Sequence, residues 1–209
     1  EGFSMSSPPI LAPFPATRLR RLRRTPALRA LATETSLETG NLIWPVFVTE
    51  ISGGEGEIPS MPGVERLTLD GVKRAAESAA RLGIPAICVF PHSDPDLKTE
   101  GCERAWDPDN IGNRAIRAIK ETVPDLAVMT DIALDPYNIN GHDGFVRDGV
   151  IVNDETVEAL VRMALTQAEA GADILGPSDM MDGRIGAVRN ALEAAGHQDI
   201  AILSYSAKY

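Results

Sequence analysis

Thr-Leu-Asp-Gly-Val-Lys-Arg-Ala-Ala-Glu-Ser-Ala-Ala-Arg-Leu-Gly (68–83), followed by Ile-Pro and then Ala-Ile-Cys-Val-Phe (86–90), is the stretch from which the fold is read. A threonine able to cap a helix stands before the apolar periodicity and a glycine able to end it stands after, so 68–83 is predicted helical. The short apolar run that follows is predicted to be a strand. The same alternation extends outward in both directions. Leu42–Val48 precedes it as a first strand, in which Pro45 implies an edge, a bulge or a bend. Residues 110–122 form the next helix, starting at Asn110 and stopped by Pro124, and Leu126–Leu134 is the third strand. Asn153–Ala172 is a long helix, with Val157, Leu160, Val161, Ala164, Leu165 and Ala168 at helical spacing. Ile174–Gly176 is a short fourth strand, Arg184–Ala195 a helix and Ile200–Tyr205 the fifth strand.

Strands and helices in strict alternation predict an α/β fold around a parallel sheet. Two architectures satisfy that order, an open doubly wound sheet and an eight-stranded barrel. No Gly-x-Gly-x-x-Gly follows the first strand, which removes the main support for a dinucleotide fold. Five strands do not close a barrel that typically takes about 250 residues. The pattern stops directly after the fifth strand, without a Gly/Pro-rich linker or a capping helix, so the expectation is of a chain cut short.

Ahead of the alternation lies a different kind of segment. Residues 18–29 contain six arginines and no acid, whereas the whole chain carries a net charge of −10. Pro8, Pro9, Pro13 and Pro15 precede them and disfavour regular structure. Residues 1–35 are therefore expected to form an extended, Arg-rich arm and residues 36–209 the globular part. A basic arm on an acidic body suggests docking onto another copy of that body. The net negative charge argues against nucleic acid or an anionic membrane as partner. No apolar run reaches the roughly 18 residues of a membrane span. The N-terminal residues do not resemble a secretory signal, and two cysteines, Cys88 and Cys102, indicate a reducing compartment. The expected location is cytoplasmic.

Polar groups gather where the third, fourth and fifth strands end. Asp131, Asp135, His142 and Asp143 follow the third; Ser178, Asp179, Asp182 and Arg184 follow the fourth; Ser204, Tyr205, Ser206 and Lys208 follow the fifth. Ends of parallel strands are where α/β enzymes place their chemistry. Each of these loops also has a plain structural reading, as turn-forming residues after the third strand and as a helix cap (Ser178 or Asp179) after the fourth. A lysine drawn into such a rim loses solvation, its pKa falls, and its neutral amine can attack a ketone to give a Schiff base. From spacing alone, the chain reads as a Schiff-base enzyme of the aldolase or dehydratase kind.

Four strings narrow this further: Pro-Ser-Met-Pro-Gly-Val (59–64), Asp-Pro-Tyr with Gly-His-Asp-Gly (135–144), Gly-Pro-Ser-Asp-Met-Met-Asp-Gly-Arg-Ile (176–185) and Ser-Tyr-Ser-Ala-Lys-Tyr (204–209). From about residue 15 onward the chain resembles the porphobilinogen synthase (5-aminolaevulinate dehydratase) family. The resemblance implies a TIM (β/α)8 barrel with an N-terminal arm, of which this chain carries about the first five strands. It implies a cytoplasmic lyase of tetrapyrrole (haem and chlorophyll) biosynthesis, which condenses two 5-aminolaevulinate molecules to porphobilinogen with loss of two waters. It also implies a homo-octamer held by the arms. Lys208 matches the first of the family's two Schiff-base lysines. Asp131, Ser178 and Asp179 match an acid, a hydroxyl and an acid that line the pocket and assist proton transfer, and Tyr205 and Asp182 are expected at the substrate.

Where zinc-dependent relatives have three cysteines, this sequence has Ala133, Asp135 and Asp143, so it resembles the cysteine-free branch. No catalytic zinc is expected; the resemblance leaves open Mg²⁺ or a monovalent cation as activator, with Asp135 and Asp143 as weak candidate ligands, or no active-site metal at all. The family's second lysine falls beyond residue 209, so the 209-residue chain alone is expected to be inactive. The alternative is a non-catalytic subunit or assembly partner of a complete copy.

Overall fold

The computed structural model describes residues 12–207. Lys208 lies outside them, as do Pro8 and Pro9. Contacts divide the chain after Glu38 into an N-terminal unit and a main unit that starts at Thr39.

The N-terminal unit is not extended throughout, contrary to expectation. A 3-10 turn, Leu19–Arg23, precedes the short helix α1, Pro26–Leu31. The residues at the start of α1 account for it: Thr25 Oγ1 accepts from the Leu28 amide at 3.2 Å, and Pro26 sits at the first helical position, where its missing N–H costs nothing. Several arginines stay within the unit. Arg21 Nη1 donates to Ala16 O at 2.7 Å and Arg29 Nη1 to Arg23 O at 3.0 Å.

The main unit runs β1 Ile43–Thr49, β2 Gly56–Glu57, β3 Glu65–Leu67, α2 Leu69–Leu82, β4 Ala86–His92, α3 Ile111–Thr122, β5 Ala127–Ile132, β6 Phe145–Arg147, β7 Val150–Val152, α4 Asn153–Ala170, β8 Ile174–Pro177, α5 Arg184–Ala194 and β9 Ala201–Ile202. Thr68 caps α2 and Asn110 caps α3, each through its side chain, and Gly83 ends α2 at φ +73°. Three features were not read from the sequence. These are β2, β3 and the antiparallel β6–β7 hairpin, all two or three residues long.

The strand order β2-β3-β1-β4-β5-β8-β9 decides between the two candidate architectures. From β1 onward each new parallel strand is laid on the same side of its predecessor. A doubly wound sheet would reverse direction at a switch point. Right-handed crossovers in one direction place every helix on one face, and α2 packs on α3, α3 on α4 and α4 on α5. This is the winding of a (β/α)8 barrel, here with its first five principal strands.

The two faces of the sheet differ accordingly. Val46, Val48, Ile87, Val89, Val128 and Leu175 are buried against Val72, Ala76, Ile116, Ile119, Leu160 and Ala164 of the helix layer. Burying each large side chain in that layer contributes roughly 1.5–3 kcal/mol. The other face carries Pro45, Cys88 and Met129 in one lateral row, and Phe47 and Phe90 in the next. Phe47 and Phe90 stack at 5.5 Å.

Pro45 is explained by the β1 pairings. On the β4 side β1 is paired along its whole length, but on the β3 side only Phe47 and Val48 have partners, so at Pro45 that side is an edge. The fifth principal strand is shorter than Ile200–Tyr205. Its extended chain nevertheless continues beside β8, with Leu203 N donating to Leu175 O at 2.9 Å and Tyr205 N to Pro177 O at 3.1 Å.

Candidate active site

The C-terminal ends of β5, β8 and β9 lie side by side. Asp131 of β5 is in register with Gly176 of β8, and Tyr205 follows β9. A Cβ on Gly176 would sit 2.5 Å from Met129 Cε, 3.1 Å from Thr130 O and 3.3 Å from Tyr205 Cε2. A side chain here would have to displace the Met129 methyl and crowd the Thr130 carbonyl and the Tyr205 ring.

Asp131 is held through its backbone. Thr130 points into the helix layer, where its hydroxyl donates to Gln167 Oε1 at 2.7 Å. Gln167 Nε2 donates in turn to Asp131 O at 2.9 Å. Thr130 and Gln167 are both buried. Asp131, whose side chain lies on the opposite face, is 8% exposed as a residue.

Asp179 is held through its side chain. Its residue is 1% exposed. One carboxylate oxygen accepts from the Met181 amide at 2.7 Å, and the other lies 3.0 Å from Arg184 Nε. Burial pushes the Asp179 carboxyl above the usual carboxylate range and nearby Asp143 adds to the rise, against the pull of the Met181 amide and Arg184. The aspartate therefore secures a turn and does not cap α5, whose N-cap is Gly183. Arg184 also donates to Met181 O at 3.1 Å and to Tyr205 O at 3.4 Å, tying the β8 loop to the segment after β9.

Ser178 is half-buried, and its amide donates to Ile132 O at 3.3 Å. Tyr205 remains a phenol. Burial, then Cys88 and Asp131, push its pKa up to about 12. Asp182 does not join the buried group; it is exposed, and its amide donates to Asn153 Oδ1 at 2.8 Å.

The loop after β5 is organised by a residue that the sequence reading passed over. Asn138, 1% exposed, donates to His142 O and to Gly144 O, both at 3.1 Å. Asn sits in many turns, and nothing in the string marks this one as buried. Of Ala133, Asp135 and Asp143, Ala133 is a buried methyl without a donor atom and Asp143 a buried carboxylate. No group of three His, Cys, Asp or Glu side chains suited to a metal ion occurs among the described residues. Cys88 and Cys102 are buried thiols pushed up to about 12, chiefly by desolvation.

No helix among the described residues is long and apolar enough to cross a membrane. The model of the family described as Delta-aminolevulinic acid dehydratase matches residues 16–209. The Delta-aminolevulinic acid dehydratase of Rhodobacter capsulatus is 64% identical over 200 residues, which cover 96% of this chain and 60% of that protein. That of Bradyrhizobium diazoefficiens is 50% identical over 194 residues, 93% of this chain and 55% of its own. Among solved structures, delta-aminolevulinic acid dehydratase (porphobilinogen synthase) from Toxoplasma gondii, in complex with the reaction product porphobilinogen, superposes with a TM-score of 0.87 at 44% identity. It covers 96% of this chain and 56% of that one. The chain thus spans between 55% and 60% of the length of these relatives.

Proposed function

The chain belongs to the Delta-aminolevulinic acid dehydratase family, and on that premise we propose that it carries the first Schiff-base half of a porphobilinogen synthase site. The reaction is the condensation of two 5-aminolaevulinate molecules to porphobilinogen with loss of two waters, in tetrapyrrole biosynthesis. One observation carries the reading. Asp131, Ser178, Asp179 and the run that leads from Tyr205 towards Lys208 come together at the ends of three adjacent parallel strands.

The chemistry follows from the residues. The neutral amine of Lys208 attacks the ketone carbon of 5-aminolaevulinate; a C–N bond forms, and the former carbonyl oxygen leaves as water once protonated. Asp179, with its raised carboxyl, suits the role of proton carrier, and the Tyr205 phenol that of a hydrogen-bond donor to a developing oxyanion. Asp131 balances positive charge on the substrate amine or the iminium, and Ser178 orients it. Asp182 is left to contact substrate from the solvent side. No step runs through zinc. As an activator we propose Mg²⁺ or a monovalent cation, held by Asp135 or Asp143 with water completing its shell.

The reading extends to a cytoplasmic protein that assembles as a homo-octamer, supported by six arginines within residues 18–29 of a chain whose net charge is −10. The sheet of the described residues ends at β9, so the 209-residue chain by itself is expected to form the imine without releasing porphobilinogen.

Incubation with 5-aminolaevulinate and borohydride, followed by intact mass and peptide mapping, tests the proposal. The expected result is one reduced adduct on the 22.4 kDa chain, placed at Lys208 and lost in Lys208→Met. No adduct, or an adduct that survives in Lys208→Met, would falsify it.

A further inference from the structure

Asn138 does more than close the loop after β5. Thr99, in the loop after β4, holds the chain on both sides of it: the Thr99 N–H donates to Tyr137 O and the Thr99 carbonyl accepts from the Ile139 N–H, both at 3.1 Å. The Asn138 side chain therefore works from a fixed base. Its two amide hydrogens go to His142 O and Gly144 O, each at 3.1 Å, and its oxygen accepts from the Asn140 N–H at 2.9 Å. At 1% exposure these bonds meet little competition from water.

From Gly144 the contacts pass into the loop after β8. A Cβ on Gly144 would lie 2.8 Å from Met181 Cε, 3.0 Å from Ile151 Cγ2 and 3.4 Å from Thr156 Oγ1, so the bare Gly144 backbone presses on the Met181 side chain. The next amide, Phe145 N, donates to Thr156 Oγ1 at 3.0 Å and keeps that backbone in place. Met181 is 2% exposed and has little room to move away. Its N–H is the donor that holds one Asp179 carboxylate oxygen at 2.7 Å. Its carbonyl accepts from Arg184, whose Nε lies 3.0 Å from the other oxygen. Both grips on Asp179 thus depend on where Met181 sits.

We propose that Asn138 is a positioning residue for the Asp179 carboxyl, acting through Gly144 and Met181. Its catalytic meaning rests on the Schiff-base reading, in which Asp179 carries the proton. Buried behind its loop, Asn138 touches neither substrate nor reacting atoms. It sets the place of Met181, and Met181 sets the place of the acid. A proton carrier that is displaced still leaves the substrate its contacts, so the cost falls on the chemical step and not on binding.

Two measurements on the full chain test it: NMR with the aspartate carboxyl carbons isotope-labelled, and timed borohydride trapping with 5-aminolaevulinate alongside calorimetry. The Asp179 signal is the one missing from Asp179→Asn. Asn138→Ser, which offers one donor in place of two, is expected to move that signal and to slow the Lys208 imine roughly tenfold, part of the about 10²-fold or more that a placed acid contributes. The Kd of 5-aminolaevulinate is expected to stay the same. Gly144→Ala displaces Met181 with Asn138 intact and is expected to act alike, which covers the case of Asn138→Ser failing to fold as judged by its melting curve. In the Asp179→Asn background neither change is expected to slow the imine further. Ile119→Val, in the helix layer, controls for lost packing and is expected to alter neither signal nor rate. An Asp179 signal that stays put, a Kd that rises as the rate falls, or undiminished slowing in Asp179→Asn overturns the positioning role. A signal that moves in Asn138→Ser while no adduct forms at Lys208 upholds the link from Asn138 to Asp179 and overturns the Schiff-base reading instead.

Discussion

Asp131 and Asp179 are buried carboxylates at the ends of neighbouring strands, and the protein grips them at opposite ends. Asp179 is fixed by its carboxylate, through the Met181 amide and Arg184. For Asp131 the grip from the helix layer is on the main chain, through Gln167 and Thr130, with the carboxyl turned to the other face of the sheet. The first arrangement tunes a group, since every contact bears on its charge. The second presents a group, since the peptide is locked while the chemistry is set by whatever occupies the barrel side. A site that handles protons needs both, a carrier of adjusted affinity and a charge in a fixed place.

The sharpest way to break this contrast is to remove the side-chain grip. Arg184→Met leaves Asp179 buried beside Asp143 without its cation, and removing one member of a buried pair costs roughly 3–5 kcal/mol. The loss is expected to ease below neutral pH, because a carboxyl already raised by burial rises further and takes up its proton. The sign follows from linkage. A raised carboxyl binds more protons folded than unfolded, so its contribution is present at low pH and lost as pH rises through the folded pKa. Urea melts of Arg184→Met at pH 5.5 and 7.5 check this. A variant equally destabilised at both would mean that Asp179 is not tuned by Arg184.

Cutting the backbone grip is expected to cost less. Gln167→Leu leaves the Thr130 hydroxyl and the Asp131 carbonyl buried without this partner, a penalty of about 2 kcal/mol. Thr130→Val in the same background is expected to recover part of it, since replacing both partners of a buried bond by apolar groups removes the stranded donor. A double mutant whose loss is the simple sum of the two would show that the three residues do not act as a unit. If Asp131 is presented through its peptide, Gln167→Leu also slows formation of the Lys208 imine more than it weakens 5-aminolaevulinate binding.

Legibility in the sequence followed the range of the interactions. Helices α2 and α3 were set by caps three residues from the amides that they serve, Thr68 to Gly71 and Asn110 to Asn113, and such signals survive in a string. The β8 loop was legible as a motif, yet Arg184, its central connector, reaches Tyr205 across 21 positions. Gln167 is 36 residues from the carbonyl that it holds and reads as one more polar residue on a long helix. Strands β2 and β3 were missed because two- and three-residue strands carry no periodicity. The arm was misjudged because its prolines were weighed and the Thr25-Pro26 helix start was not. The barrel itself became decidable only when the strand order showed steady winding without reversal.

The smallest expected effect probes the cluster of Arg66, His92 and Lys98 where β3 and β4 end. His92 is tied to Thr49 and faces Arg66 and Lys98, and it is held below the ordinary histidine value of about 6.5, first by burial and then by those two cations. Unfolded, it takes up a proton below about pH 6.5; folded, it resists. The native state thus binds fewer protons, and the stability that His92 contributes is fully present above that pH and lost as pH falls towards the folded pKa. Asp179 shifts stability the opposite way, but it does so equally with or without His92, so the difference between two proteins isolates the imidazole. Urea midpoints of the native chain and His92→Gln at pH 7.5 and 5.5 are expected to show a greater acid loss in the native chain, by a modest margin because the ring is only half-buried. Parallel slopes would mean that neither burial nor Arg66 and Lys98 hold the ring below its ordinary value.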